Sequence, residues 1–218
     1  MNDVLSFLEN EVQIVALGIF AFMYMAKLLW LRSLRSPWEK AVPVGSATRG
    51  VLLSFGSVFW PWAMETSRKH FAVYVEFALF HIAVAVAIAG SFAHPYARGL
   101  LTQPVVYTGC FFLALGFLMG LLRLRRRLVR PEMRLLSTPD DYFAVCAITL
   151  YFALAFWGLL TDSFMGLSTY FGFTALLLIY VPTSKVSHYL YMPFTRFYHG
   201  YLFGRRGVMA WARPGGRY

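Results

Sequence analysis

The stretch FAVYVEFALFHIAVAVAIAGSF, residues 71–92, decides the fold of this chain. It is apolar almost throughout and has the length of roughly 20 residues that a helix needs to cross a bilayer. Glu76 and His81 interrupt it. Because lipid offers an ionisable side chain no hydrogen-bond partner, such a residue inside a membrane helix is by default a candidate for function.

Four more segments have a similar length and apolarity, so the sequence predicts an all-α membrane protein with five transmembrane helices. The predicted spans are residues 12–31, 71–92, 105–122, 142–160 and 167–189. The composition agrees, because 59% of the 218 residues are hydrophobic and only 14% are charged, against about 25% in soluble proteins. The cysteines, Cys110 and Cys146, lack metal-type spacing, which argues against an iron–sulfur cluster held by this chain alone.

The connection between the first two spans contains a shorter apolar stretch, residues 51–63, which includes two tryptophans. It is too short to cross the membrane, and tryptophan is typical of the headgroup region, so we expect an interfacial helix on the cytoplasmic side. Residues 1–199 are predicted to form the five-helix transmembrane domain, with Pro182 kinking the fifth helix just before His188. Residues 200–218 are predicted to be an irregular, basic tail that a partner orders.

The net charge of +10 is unevenly distributed. Arginines and lysines concentrate between the first and second spans, between the third and fourth, and after the fifth. The opposite side is mainly acidic, with Asp3, Glu9, Glu11, Asp162 and a single cation, Arg98. The positive-inside rule then predicts an outside N-terminus and a cytoplasmic C-terminus in a multi-pass membrane protein. The basic residues indicate anionic lipid or a protein partner rather than nucleic acid.

His81 and His188 lie in the second and fifth predicted spans, which run in opposite directions across the membrane. Antiparallel helices bring the two to matching depth, and two opposed imidazoles are usual axial ligands of a b-type haem. Ligation by two histidines leaves no open position on the iron, which suits one-electron transfer. Alternatively, each histidine only forms a hydrogen bond to a neighbouring helix. His70 and His199 are a second pair at or beyond the headgroups, where contacts with lipid phosphate or a partner also explain them.

Further charged residues have candidate roles around this pair. Glu76 is either protonated and without a functional role, hydrogen-bonded to a helix, or part of a proton path to a quinone. His94, in the predicted outer loop, is a candidate quinone-site residue, although loop polarity explains it equally well. Four cations on the cytoplasmic side can neutralise haem propionates or simply form the inside flank of a helix. They are Arg123, Arg125, Arg126 and Lys185.

Three motifs resemble the gamma subunit of respiratory nitrate reductase. Residues 80–82, FHI, resemble the haem motif of that family's second helix, and residues 182–188, PTSKVSH, resemble its fifth-helix motif. Residues 126–141, RRLVRPEMRLLSTPDD, resemble its cytoplasmic loop before the fourth helix. The motifs agree in order and spacing over four of the five helices. The resemblance extends to the membrane cytochrome b subunits of heterodisulfide reductases and of the transmembrane redox complexes of sulfate reducers.

The resemblance implies that His81 and His188 bind the haem nearest the cytoplasm and that a cytoplasmic iron–sulfur subunit docks on the inner face. Two-haem members of the family hold an outer haem with a further histidine late in the second helix and one early in the fifth. Here those regions read GSF, residues 90–92, and TYF, residues 169–171. We therefore expect one haem b and a chain nearer the sulfur-metabolism relatives than nitrate reductase itself.

The resulting hypothesis is a membrane-anchoring cytochrome b subunit of a multi-subunit respiratory oxidoreductase, associated with other membrane subunits. It relays electrons between menaquinone, another quinone or another membrane donor and the iron–sulfur subunit, and by itself it is expected to catalyse nothing measurable. A haem-free five-helix anchor or assembly subunit is the rival hypothesis. A transporter is disfavoured, because the sequence has no inverted repeat and few ionisable residues at mid-membrane.

Overall fold

The computed structural model describes residues 2–34, 42–60 and 68–209. Over these ranges the chain is mostly helical and contains no strand. The α-helices are α1 (Asn2–Glu9), α2 (Glu11–Ser33), α3 (Ala47–Gly56), α4 (Phe71–Tyr96), α5 (Gln103–Val129), α6 (Pro131–Leu136), α7 (Pro139–Thr161), α8 (Phe164–Tyr180) and α9 (His188–Arg205). Short 3-10 turns lie at Arg98–Leu100, Val181–Thr183 and Lys185–Ser187.

Five helical segments among the described residues are long and apolar enough to cross a membrane, which confirms the predicted all-α class and five spans. They are Asp3–Ser33, Phe71–Tyr96, Gln103–Val129, Pro139–Thr161 and Phe164–Thr183. At most 39% of the residues in the apolar window of any span are buried within the protein. So much exposed apolar surface is typical of helices that lipid surrounds, and it indicates a multi-pass membrane protein.

The fifth span ends earlier than the sequence predicts. Instead of a kinked helix that reaches residue 189, α8 stops at Tyr180, and two 3-10 turns precede the start of α9 at His188. Pro182 is the physical reason, because it lacks an N–H donor and its ring crowds the preceding turn, so that tighter 3-10 turns replace α-helix. The prediction that His188 lies within the fifth span is therefore wrong, since the span ends at Thr183.

The flanking segments also differ in detail from the predictions. Where the sequence predicts an interfacial helix over residues 51–63, the structure has α3, which covers only residues 51–56 of that stretch. It begins at Ala47, because the Ser46 hydroxyl caps it by accepting from the Arg49 N–H at 3.3 Å. Residues 61–63 lie outside the described residues, and the position of α3 at the membrane surface stays a prediction. At the C-terminal end, α9 continues past Gly200, where the irregular tail was predicted to begin. Residues 210–218 lie outside the described residues.

The chain divides into two compact units. The first comprises residues 1–25 and 75–186, and the second comprises residues 26–74 and 187–218. Alanine, leucine and aromatic residues of α4, α5, α7 and α8 form the core of the first unit: Phe80, Ala83, Ala87, Leu113, Ala147, Tyr151, Phe152, Ala155, Leu167, Tyr170, Phe171 and Leu177. Small side chains at helix contacts allow the backbones of a membrane bundle to approach closely.

Two buried polar side chains of the first unit form hydrogen bonds to the backbone of a neighbouring helix. The Gln13 amide of α2 donates to the Phe171 carbonyl of α8 at 2.8 Å. The Tyr170 hydroxyl, also on α8, donates to the Ala87 carbonyl of α4. Since a buried polar group without a partner costs about 1–3 kcal/mol, these bonds help to fix which face of each helix points inward.

The second unit is built on close packing of α3 against α9. A Cβ added at Gly50 of α3 would lie 2.2 Å from the Gly200 carbonyl oxygen and 2.4 Å from the Gly204 Cα, both on α9. The Gly45 N–H, just before α3, donates to the Arg205 carbonyl at 2.9 Å. The two helices are therefore in backbone contact, and only glycine fits at position 50.

Gly50→Ala is expected to destabilise the second unit, because the added methyl group has no space against the backbone of α9. Overpacking of this kind costs about 1–3 kcal/mol. The matched control is Gly56→Ala on the same helix, where nothing lies within 4 Å of the added Cβ and alanine favours the helix. Thermal unfolding of both variants in detergent measures the difference. Equal melting temperatures would contradict the close packing.

Candidate functional site

His81 lies in the middle of α4, within the second span, and is half-buried. Its Nδ1 lies 2.7 Å from the carbonyl oxygen of Phe77, one turn earlier. A carbonyl only accepts, so Nδ1 carries the hydrogen, and in the neutral ring the lone pair is on Nε2. Metal-ligating histidines use this arrangement, with one ring nitrogen bound to a backbone carbonyl and the other directed to the metal. The Phe77 ring, 4.0 Å away between centroids, also restrains the imidazole.

His188 is the first residue of α9, directly after a 3-10 turn, and it is exposed. It belongs to the second unit, whereas His81 belongs to the first. The pairing of these two histidines on one haem stays a prediction. His70 and His199, the second pair considered from the sequence, are both exposed.

Glu76 and two arginines form a charged cluster near the start of α4. Glu76 is 9% exposed. Its Oε1 accepts from Arg123 Nε at 3.1 Å and from the Arg126 guanidinium, both on α5. The Arg123 guanidinium carbon also lies 4.3 Å from the centroid of the Phe80 ring, next to His81 in sequence. Glu76 is therefore hydrogen-bonded to another helix, one of its three predicted roles, and two cations facing one carboxylate leave the cluster a net positive charge.

The other two predicted propionate partners have different surroundings. Arg125 is exposed on α5. The Lys185 ammonium donates to Asp141 Oδ2 at 2.6 Å and to Thr138 Oγ1 at 2.9 Å. The Lys185 backbone N–H donates to Asp140 at 3.0 Å. Lys185 thus ties the turn after α8 to the beginning of α7.

Two of the segments that carry the family resemblance meet at this contact. Thr138 and Asp141 form a capping box at the start of α7, in which the Thr138 N–H donates to Asp141 at 2.8 Å. Lys185 comes from the PTSKVSH segment. The Tyr180 hydroxyl at the end of α8 adds a bond to Asp140 at 2.6 Å. Sequence reasoning missed these contacts, although Thr-x-x-Asp before an apolar run is a recognisable cap signal.

A second charged group, the outer cluster, lies near the far end of α4 and consists of Glu9, His94, Arg98 and Asp162. His94 is 4% exposed. Its Nδ1 lies 2.9 Å from Glu9 Oε1, and its Nε2 lies 3.1 Å from Asp162 Oδ1 and 2.9 Å from Arg98 Nη1. The prediction that His94 lies in a loop is wrong, because α4 continues to Tyr96. Sequence reasoning missed Glu9 and Asp162 as its partners, although both are acidic residues of the predicted outer side.

In the described part of the chain, no group of three or more His, Cys, Asp or Glu side chains is arranged so that it could hold a metal ion. Cys110 is buried and Cys146 is exposed, and both are free thiols. A haem needs only axial ligands from the protein, since the macrocycle supplies the other four nitrogens. The absence of such a group from the described residues therefore does not test haem ligation.

Comparisons with protein families, with curated proteins and with solved structures found no match for this chain. The resemblance to the gamma subunit of nitrate reductase and its relatives stays a prediction from three motifs.

Arg126→Gln is expected to destabilise the first unit, because the nearly buried Glu76 loses one of its two cations. With Arg123 still in place we expect a loss of about 1–2 kcal/mol, less than the about 3–5 kcal/mol typical of breaking a fully buried pair. Arg125→Gln is the matched control, because Arg125 is adjacent and exposed. Melting temperatures in one detergent measure both variants. If the control lowers the melting temperature as much, the pairing with Glu76 is wrong.

Proposed function

We propose that this chain is the membrane-anchoring cytochrome b subunit of a multi-subunit respiratory oxidoreductase. It holds one haem b with His81 and His188 as axial ligands. It relays electrons between a quinone, or another membrane donor, and a cytoplasmic iron–sulfur subunit. Haem supplies the one-electron chemistry when bound, and the protein supplies ligands, burial and nearby charge, which set the haem potential.

The observation that carries this proposal is the hydrogen bonding of His81. Its Nδ1–H donates to the Phe77 carbonyl at 2.7 Å, inside a membrane span, so the lone pair of the neutral ring is on Nε2. Both partners of this bond lie on α4, so the bond does not link two helices. It fixes the tautomer and the ring orientation that ligation of a metal through Nε2 requires.

The arginine pair on α5 supports the same assignment. Haem propionates need cations, and guanidinium groups bind carboxylates well. Arg123 packs on Phe80, the neighbour of His81, and together with Arg126 it outweighs the charge of Glu76 by one. Each guanidinium has five N–H donors, more than its bond to Glu76 uses. Arg123 and Arg126 are therefore the favoured propionate partners, ahead of the exposed Arg125 and of Lys185.

The proposed iron–sulfur partner docks on the basic surface around α6. Arg125, Arg130 and Arg134 are exposed there, and a cationic surface attracts an acidic partner. By the positive-inside rule this end faces the cytoplasm, in our proposal that of a prokaryote with the chain in its inner membrane. Other membrane subunits and lipid cover the apolar faces of the spans.

In this proposal the membrane donor or acceptor is menaquinone or another quinone. Quinone chemistry moves protons together with electrons, and Glu76 and His94 are the candidate proton-path residues. They lie near opposite ends of α4. Each is held by charged neighbours, Glu76 by Arg123 and Arg126, and His94 by the other members of the outer cluster.

One observation favours the rival function, a haem-free anchor or assembly subunit. His188 follows the end of the fifth span, Thr183, by five residues and is exposed. A ligand of a buried haem is expected to be buried with it. In the rival function the bond from His81 to Phe77 only satisfies the imidazole locally, as other polar side chains do within helices.

His81→Leu and His188→Leu are each expected to abolish stable haem binding, because each removes one of two axial ligands. The wild-type complex should show a b-type band in its reduced-minus-oxidised spectrum and one haem per polypeptide in a pyridine haemochrome assay. A colourless wild-type complex, purified with its partner subunits, would refute the proposed cytochrome function and favour the haem-free anchor.

The matched controls are His70→Leu and His199→Leu, which replace exposed histidines and should leave haem content unchanged. Circular dichroism of every variant should show wild-type helicity, so that loss of colour reports ligation and not misfolding. Loss of haem in a control variant, or two haems per wild-type polypeptide, would show that the assigned ligand set is wrong.

A further inference from the structure

A cavity of about 300 Å³ opens beside the outer cluster, within the first unit. Its lining includes the charged side chains of Arg98 and Asp162, the imidazole of His94 and the neutral polar side chains of Gln103 and Tyr107. Leu101, Val106 of α5 and two leucines of α7, Leu159 and Leu160, complete it. The cavity is therefore polar on one side and apolar on the other, as a site for an amphiphile must be.

The position of the charged residues corresponds to the headgroup level of a bilayer. Arg98 follows the second span, which ends at Tyr96, and Asp162 directly follows the fourth, which ends at Thr161. Arg98 is 59% exposed and Asp162 is 54% exposed. Their charged groups are therefore accessible to a ligand at this end of the bundle.

These two opposite charges are held in fixed positions. The Arg98 guanidinium pairs with the Asp162 carboxylate, and the buried His94 contacts both from behind, with its Nε2 2.9 Å from Arg98 and 3.1 Å from Asp162. On the far side of the imidazole, Glu9 Oε1 lies 2.9 Å from Nδ1 but is not aligned for a hydrogen bond. Asp162 is further constrained as the C-cap of α7, with a φ of 47°. The positive and negative groups therefore remain side by side at the cavity.

We propose that this cavity binds the headgroup of a zwitterionic phospholipid, such as phosphatidylethanolamine. The phosphate contacts Arg98 and the ammonium contacts Asp162, so that each charge of the ligand meets the opposite charge on the protein. Gln103 and Tyr107 supply neutral hydrogen-bonding groups for the ester region. The acyl chains extend from the cavity along the apolar side chains of α5 and α7.

Charge complementarity favours this occupant over two other amphiphiles. An anionic phospholipid satisfies Arg98 but offers no cation to Asp162 and is repelled by it. A quinone headgroup is neutral and needs neither member of the pair. Only a ligand with both charges uses the whole arrangement.

Native mass spectrometry of the full-length protein tests the proposal. The protein is titrated in detergent with an equimolar mixture of phosphatidylethanolamine and phosphatidylglycerol that have the same acyl chains. We expect one phosphatidylethanolamine to be retained about threefold more than phosphatidylglycerol, the scale of a half-exposed ion pair. This lipid comparison uses the wild type alone, so it stands even if a variant fails to fold.

Asp162→Asn is the sharpest variant, because asparagine tolerates the left-handed conformation and only the charge is lost. It should abolish the preference for phosphatidylethanolamine. Arg130→Gln, an exposed arginine at the opposite end of the bundle, is the matched control and should keep it. Equal retention of both lipids by the wild type overturns the proposal. An unchanged preference in Asp162→Asn, or displacement of the lipid by a short-chain menaquinone, also overturns it.

Discussion

Every polar group inside the helical bundle must find its partner within the protein, because the core of a bilayer contains no water to replace it. In the first unit several side chains meet this requirement between helices: Arg123 and Arg126 bind Glu76, the Gln13 amide binds the Phe171 carbonyl, and the Tyr170 hydroxyl binds the Ala87 carbonyl. Apolar contacts alone do not determine which helix faces meet, because lipid tails cover a leucine surface as favourably as a neighbouring helix does. Polar pairs and close small-residue contacts therefore determine which helix faces meet.

The same requirement explains where the charges of the first unit are found. Glu76 and its arginines lie near the start of α4, and the outer cluster lies near its end. Between Glu76 and His94, His81 is the only ionisable side chain of α4. An ionisable side chain in the middle of a membrane span is by default a candidate for function. The bond from Nδ1 to the Phe77 carbonyl, which leaves the lone pair of the neutral ring on Nε2, is the observation on which the proposed haem ligation rests.

Hydropathy predicted the spans well because it is a local property that about 20 consecutive residues express. Four predicted spans lie entirely within observed helices, and the fifth was wrong only at its end, where hydropathy does not register the missing N–H of Pro182. The roles of single charged residues were harder to predict. Arg123 follows its partner Glu76 by 47 positions, and Lys185 follows Asp141 by 44. Nothing in a local pattern specifies such a distant partner.

The sequence by itself determined the all-α class, the five apolar spans and the presence of His81 inside one of them, because each follows from composition and spacing along a single helix. Only the tertiary structure decided that Glu76 is neutralised by α5, that Lys185 joins α7, and that His94 is buried among charges instead of lying in a loop. Those outcomes depend on which helix faces meet. That choice follows from polar pairing and close packing between distant segments, and neither is encoded in the periodicity of one helix.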